Sequence, residues 1–119
     1  MIVGVGVDIV DIARFTRALE RTPKLGERLF TDSERDLPVA SLAGRFAAKE
    51  ALIKAFGGSG HMTFHDMVVV KDDLGAPSFE LGAAAEELAS AKNIQNIKLS
   101  ITHDANSAIA FVVAEAGDS

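Results

Sequence analysis

The first residues of the chain alternate in a way that predicts a β-strand from Ile2 to Ile9. Valine or isoleucine fills every odd position from 3 to 9, while Gly4, Gly6 and Asp8 fall between them. Successive side chains of a strand point to opposite faces, so the face that carries the glycines is nearly bare. We therefore expect another group to approach this face closely, beside the carboxylate at its end.

Hydrophobic periodicity and turn residues predict further helices and two hairpins. In chain order these are a helix from Asp11 to about Arg21, a loop-rich stretch with a short helical turn after Thr31, a long helix from about Val39 to Phe56, a hairpin of Met67–Lys71 and Ser78–Leu81, a small helix over Gly82–Lys92, and a hairpin of Ile97–Asp104 and Ala108–Ala114. Helices and hairpins in this order predict an α+β fold with a mainly antiparallel sheet packed with one long central helix. No repeat or linker divides residues 1–119, which we expect to form a single domain.

The long helix is the most informative segment, and Gly57 and Gly58 end it. Leu42, Phe46 and Ile53 cluster on one side, and much of the remaining surface is alanine. The charged residues of this helix are Arg45, Lys49, Glu50 and Lys54. The last two lie at the edge of the apolar cluster, where a carboxylate is costly unless it meets a cation. The helix therefore indicates a metal or phosphate site.

Asp8 and Glu50 are the candidate metal ligands. Two carboxylates that leave most coordination positions open suit Mg²⁺, which keeps water ligands and takes phosphate oxygens for the rest. The alternative interpretation makes Asp8 a cap at the strand end and Glu50 the partner of Lys54, four residues later on the helix.

Phosphate binding is a second hypothesis for the same region. Arg45, Lys49 and Lys54 lie on or near one helix that runs into the glycines of Gly57–Gly60, and exposed amides in such a loop bind anions. The alternative is that these glycines simply end the helix. His103, on a strand beside a turn, is a candidate for phosphate binding or proton transfer, against the alternative of a structural histidine.

Composition and charge narrow the class of protein. The net charge is −5, which argues against general nucleic-acid binding, and the chain contains no cysteine. No segment resembles a signal peptide or a membrane span, so we expect a soluble cytoplasmic protein. Residues 14–35 are locally basic, with six positive and four negative side chains. This strip is a candidate dock for an acidic partner, or an ordinary solvated helix face.

Three segments resemble the signatures of the holo-[acyl-carrier-protein] synthases, the small bacterial-type branch of the 4′-phosphopantetheinyl transferases. They are Gly4–Phe15, Gly44–Gly57 and Leu99–Asp104. The resemblance implies that 4′-phosphopantetheine is moved from coenzyme A to a serine of apo acyl carrier protein, or of a carrier domain of a fatty acid synthase, with release of adenosine 3′,5′-bisphosphate. It also implies a homotrimer, with each cleft between two subunits.

The resemblance also implies residue roles. Asp8 and Glu50 would hold Mg²⁺, Lys54 would contact the pyrophosphate, and Arg45 would contact the 3′-phosphate of the nucleotide. Asp8, Glu50 and Lys54 are thus the expected catalytic residues. The remaining expected contacts to coenzyme A are Gly57, Pro77, Thr102 and His103. Either Glu50 or a metal-bound water would deprotonate the serine, and the sequence leaves both open.

The same resemblance implies a function for part of the basic strip. Arg14, Arg17 and Arg21 follow one helical face at i, i+3 and i+7. In the family the first helix meets an acidic helix of the carrier protein, so we expect these arginines to bind the partner. The connection between Glu34 and Arg45 is shorter than the usual pattern, which leaves the loop beside the cleft unpredicted.

Overall fold

The computed structural model describes residues 1–117 as helices packed on antiparallel strands. The elements in chain order are β1 Ile2–Asp11, α1 Ile12–Arg21, α2 Leu25–Leu29, α3 Asp32–Arg35, α4 Val39–Phe56, a 3₁₀ turn Phe64–Asp66, β2 Met67–Lys71, β3 Pro77–Leu81, α5 Ala83–Ala91, β4 Ile94–Asp104 and β5 Ser107–Ala116. The predicted α+β class with antiparallel strands is confirmed. No helix in residues 1–117 has the length and apolar character of a bilayer span.

The strands form two separate sheets. One has the order β1-β5-β4, and the other is the hairpin of β2 and β3. β1 extends two residues beyond its predicted end because Asp11 still pairs with Ser107 of β5. β5 is therefore the middle strand, and β1 and β4 lie at opposite edges of the three-stranded sheet.

The bare face of β1 is covered by α4, as its glycines require. A Cβ atom at Gly4 would collide with the carbonyl oxygen of Ala55, and one at Gly6 would collide with that of Ala51. Only glycine lets the backbones of the strand and the helix approach this closely. The expected close approach to this face is confirmed, and it brings the carboxylate of Asp8 next to α4.

The apolar cluster predicted for α4 packs against the core, but the most deeply buried side of the helix is its alanine side. Leu42 is buried, but Phe46 and Ile53 are only partly buried. The buried apolar side chains of the helix are instead mostly small, namely Ala43, Ala47, Ala48, Ala51 and Ala55, together with Leu42, Leu52 and Phe56. The cause is that α4 packs against β1 and β5 on its alanine side and against α1 elsewhere, where Phe46 stacks on Phe15 at 5.2 Å between ring centroids.

Lys49 of α4 is a fully buried cation that joins several segments. Its Nζ donates to the carbonyl oxygens of Leu29 at 2.7 Å and Phe64 at 3.2 Å, and it forms an ion pair with Glu34 at 2.8 Å. Glu34 also accepts a hydrogen bond from the backbone N–H of Val69. Burial lowers the pKa of Lys49, and Glu34 opposes that shift. The interpretation of Lys49 as one of three cations for phosphate is therefore wrong.

Candidate functional site

Asp8, Glu50 and Lys54 meet where the edge strand β1 lies against α4. Nζ of Lys54 donates to the carbonyl oxygen of Val7 at 2.9 Å and to Oδ1 of Asp8 at 3.2 Å. Lys54 thus pairs with the strand rather than with Glu50, contrary to the alternative interpretation of that pair. The carboxylate of Asp8 is 20% exposed and the lysine side chain 55%, so both remain accessible to a ligand.

Glu50 lies half-buried beside this pair. Burial raises the pKa of its carboxyl, the negative charge of Asp8 raises it further, and Lys54 partly offsets both effects. The two carboxylates are thus close enough to repel each other, an arrangement that a divalent cation relieves. Hard oxygen donors of this kind fit Mg²⁺. No group of three or more potential metal ligands occurs in residues 1–117, so water or a bound substrate would have to complete the coordination.

A cavity of about 340 Å³ opens beside the two carboxylates. Asp8 and Glu50 line it together with Arg14 and the apolar rings of Phe15 and Phe46. Because Arg14 and Phe15 belong to α1, the cavity leads from the carboxylates to that helix. Three arginines of α1 are exposed, namely Arg14, Arg17 and Arg21. A partner seated on the arginine face could therefore extend a side chain towards Asp8 and Glu50.

Arg45 lies apart from these residues although it is on the same helix. It is nine positions before Lys54, which is about two and a half turns, so the two cations project from opposite sides of α4. Arg45 is only 8% exposed, and its Nε has no hydrogen-bond partner in residues 1–117. Burial lowers the pKa of Arg45, and the charge of Glu34 opposes this shift. It cannot bind the same phosphate as Lys54 of its own chain.

The other residues predicted to contact coenzyme A also fall into two groups, one near Lys54 and one far from it. Gly57 ends α4 in the left-handed conformation, with φ of 79°, next to Lys54. Pro77 begins β3 in the second sheet, and Thr102 and His103 are exposed on β4. His103 Nε2 lies 3.0 Å from the carbonyl oxygen of Ala40 in the first turn of α4. Because β5 separates β1 from β4, one chain does not bring these residues to Asp8.

One cationic residue near the site escaped the sequence analysis. Lys92, which follows α5, lines a second cavity together with Lys54 and Gly57. In the sequence it is an ordinary lysine at the end of a helix, and nothing in its spacing relates it to Lys54. Only the folded chain brings the end of α5 to the end of α4.

Comparison with known proteins relates the whole arrangement to one family. The family model described as the 4′-phosphopantetheinyl transferase superfamily matches residues 4–112. The chain is 57% identical over 115 residues to the holo-[acyl-carrier-protein] synthase of Clavibacter sepedonicus, with 97% of each chain covered.

Solved structures give the same result. The holo-[acyl-carrier-protein] synthase of Neisseria meningitidis is 35% identical with a TM-score of 0.89, and 97% of this chain and 99% of that one are covered. The enzyme of Helicobacter pylori, solved in complex with coenzyme A, is 39% identical with a TM-score of 0.82, and the coverage is 93% and 99%. The chain belongs to the 4′-phosphopantetheinyl transferase superfamily.

Proposed function

We propose that the protein transfers 4′-phosphopantetheine from coenzyme A to a serine of an apo acyl carrier protein, with Mg²⁺ as cofactor. The observation that carries the proposal is the pair of carboxylates, Asp8 and Glu50, which lies between Lys54 and a cavity that leads to the arginines of α1. Family membership and the coenzyme A complex of a relative at 39% identity support the choice of donor.

The reaction is a phosphoryl transfer within the pyrophosphate of coenzyme A. The serine oxygen forms a bond to the phosphorus of the phosphopantetheine arm, and the bond from that phosphorus to the bridging oxygen breaks. The electron pair leaves with adenosine 3′,5′-bisphosphate. The serine proton passes to a carboxylate oxygen of Glu50 or to water. Lys54 neutralises charge on the pyrophosphate, and α1 positions the incoming serine.

Asp8 and Glu50 would hold the Mg²⁺ ion. When bound, Mg²⁺ supplies positive charge that polarises the pyrophosphate oxygens. In its absence the pair is electrostatically unfavourable, since the negative charge of Asp8 opposes the ionisation of Glu50. A protein that merely bound a nucleotide phosphate would gain nothing from a carboxylate pair at this position.

Mass spectrometry of the carrier protein tests the proposed function. The protein is incubated with apo carrier protein, coenzyme A and Mg²⁺, and the carrier is expected to gain the mass of one phosphopantetheine group. A carrier whose serine is replaced by alanine is the control and should stay unmodified. An unchanged mass, with a carrier that another transferase modifies, would contradict the proposal. Release of free phosphopantetheine without any carrier would indicate a phosphohydrolase instead.

The proposed function includes a homotrimer with clefts between subunits. Val3, Val5, Val7 and Ile9 of β1 are between 49 and 63% exposed, and Phe111 of β5, paired with Val7, is 46% exposed. A continuous apolar face of this kind is typical of a subunit interface. A neighbouring chain would also supply the distant set of residues, Arg45, Thr102 and His103, to the cleft that contains Asp8 and Lys54.

Replacing Phe111 by glutamate is expected to dissociate the trimer, because a buried charge at each copy of the interface is costly. Sedimentation equilibrium should give three times the chain mass for the unaltered protein and a smaller assembly for Phe111→Glu, with weaker binding of coenzyme A. Leu74→Glu is the matched control, since Leu74 is 94% exposed in the turn between β2 and β3. A variant that stayed trimeric would exclude this face as the interface.

Carrier recognition is the role that we propose for Arg14, Arg17 and Arg21. Arg14→Ala is expected to raise the apparent KM for the carrier about fivefold and to flatten its dependence on salt, because exposed charges mainly steer encounter. The Kd of coenzyme A should change little. Steady-state kinetics at several salt concentrations give the comparison, with Lys71→Ala, at an exposed position on β2, as the control. An unchanged carrier KM would place the docking surface elsewhere.

We also propose that the protein acts in the cytoplasm, where it serves fatty acid biosynthesis. Coenzyme A and acyl carrier proteins occur together in that compartment, and a chain without cysteine functions under reducing conditions.

A further inference from the structure

A second cavity, of about 350 Å³, lies along the same edge of β1 as the first one. The first cavity borders Asp8 to Asp11, whereas the second borders Val3 to Val5. Between them in the strand are Gly6 and Val7, and Lys54 donates to the carbonyl oxygen of Val7 and to the carboxylate of Asp8. The ion pair of Asp8 and Lys54 thus stands at the boundary of two cavities of different character.

The charge of the second cavity is opposite to that of the first. Its lining includes Lys54 and Lys92 and no acidic side chain, although the whole protein carries a net charge of −5. The first cavity contains three carboxylates and one arginine. An anion would therefore favour the second cavity, while the carboxylates of the first would attract the metal ion.

Lys92 is placed to contact such an anion. Its Nζ lies 3.9 Å from the position that a Cβ at Gly57 would take, so it reaches the glycine that ends α4. The side chain is exposed and makes no salt bridge with any residue in 1–117. Lys54 and Lys92 place two positive charges beside the C-terminal end of α4, where the helix dipole favours cations.

We propose that Lys92 is a further substrate-binding residue, which contacts the 5′-phosphate of the adenosine moiety, the half of the pyrophosphate that leaves with the nucleotide. This inference rests on the proposed function, which puts Lys54 and Asp8 at the pyrophosphate. Lys92 shares a cavity with Lys54, so the phosphate that it meets is the one next to the phosphate being transferred. Arg45, the cation assigned to the 3′-phosphate, does not line this cavity.

Calorimetric titration in the absence of carrier protein tests the proposal directly. Lys92→Ala is expected to weaken coenzyme A binding about tenfold, the usual effect of losing one charge-assisted contact to phosphate. Dephospho-coenzyme A lacks the 3′-phosphate but keeps the pyrophosphate, so its affinity should fall by the same factor. Lys92→Arg should retain most of the affinity, and Lys71→Ala, which removes an exposed lysine from β2, should have no effect.

The outcomes separate this inference from the proposed function. If the unaltered protein binds coenzyme A and modifies the carrier but Lys92→Ala binds both nucleotides normally, Lys92 only stabilises the end of α5 and the proposal is overturned. A loss confined to coenzyme A, with dephospho-coenzyme A unaffected, would overturn it as well by placing the contact at the 3′-phosphate. If the unaltered protein neither binds coenzyme A nor modifies the carrier, the proposed function itself has failed.

Discussion

Glu50→Gln is expected to slow phosphopantetheinyl transfer by at least about a hundredfold while the fold stays intact. Glutamine keeps the shape of the side chain but removes one of the two carboxylates that would hold the metal ion. Burial and the charge of Asp8 already raise the pKa of Glu50, so its charge is unfavourable in the free protein. The variant should therefore melt at the same temperature as the unaltered protein or higher, which separates its loss of activity from a loss of structure.

Three measurements check this prediction. Single-turnover transfer gives the rate, thermal unfolding followed by circular dichroism gives the stability, and electron paramagnetic resonance with Mn²⁺ in place of Mg²⁺ gives metal binding. The variant should lose both the rate and the bound Mn²⁺. Glu86→Gln, at an exposed position on α5, is the matched control and should behave like the unaltered protein. Near-normal transfer by Glu50→Gln would show that Glu50 is not a metal ligand.

The double variant Asp8→Asn with Glu50→Gln tests whether the two carboxylates act together. Asp8→Asn alone is expected to reduce the rate about as much as Glu50→Gln. Because one lost ligand already removes the ion, the second substitution should add little, and the double variant should be almost as active as either single one. Multiplicative losses would indicate two independent roles.

Much of the fold could be predicted because its signals are local. The alternation in β1, the glycines that end α4 and the capping box of Thr31 and Glu34 each act within a few residues. The short helix α2 and the 3₁₀ turn before β2 were missed, since five and three residues leave no periodic signal. The alanine side of α4 is buried more deeply than the predicted apolar cluster because the helix contacts several elements, and periodicity does not indicate which of its sides meets which element.

The candidate site was predicted only in part, because its contacts join residues that are far apart in the sequence. Glu50 stood out because a carboxylate in an alanine-rich helix is unusual. The ion pair of Lys54 and Asp8 spans 46 residues, whereas the only partner that local spacing offered Lys54 was Glu50, four residues away. Lys49 and Lys54 look alike in the sequence, yet one is fully buried and the other is exposed. Which lysine meets a ligand is decided by the position of α3 and β1, which no local pattern contains.

Glu34→Ala is expected to lower the free energy of unfolding by about 3–5 kcal/mol, because it leaves the ammonium group of Lys49 buried without a counter-charge. Both side chains of the pair are at most 2% exposed, so water cannot replace the missing carboxylate. The substitution also removes the acceptor for the N–H groups of Thr31 and Val69, and this carboxylate is what connects α3 to β2. We therefore expect α2, α3 and the start of β2 to loosen together.

Chemical denaturation measures the loss, and a second substitution identifies its origin. Glu34→Leu combined with Lys49→Met replaces the ion pair by apolar groups and should recover part of the lost stability, since the buried ammonium group is removed. Full recovery is not expected, because the N–H groups of Thr31 and Val69 still lack their acceptor, and the carbonyl oxygens of Leu29 and Phe64 lose the donor that Lys49 supplied. Glu27→Ala, at an exposed position on α2, is the control and should change stability by less than about 0.5 kcal/mol. If Glu34→Ala were equally harmless, or if the double variant were less stable than Glu34→Ala, the unpaired charge of Lys49 would not be the cause.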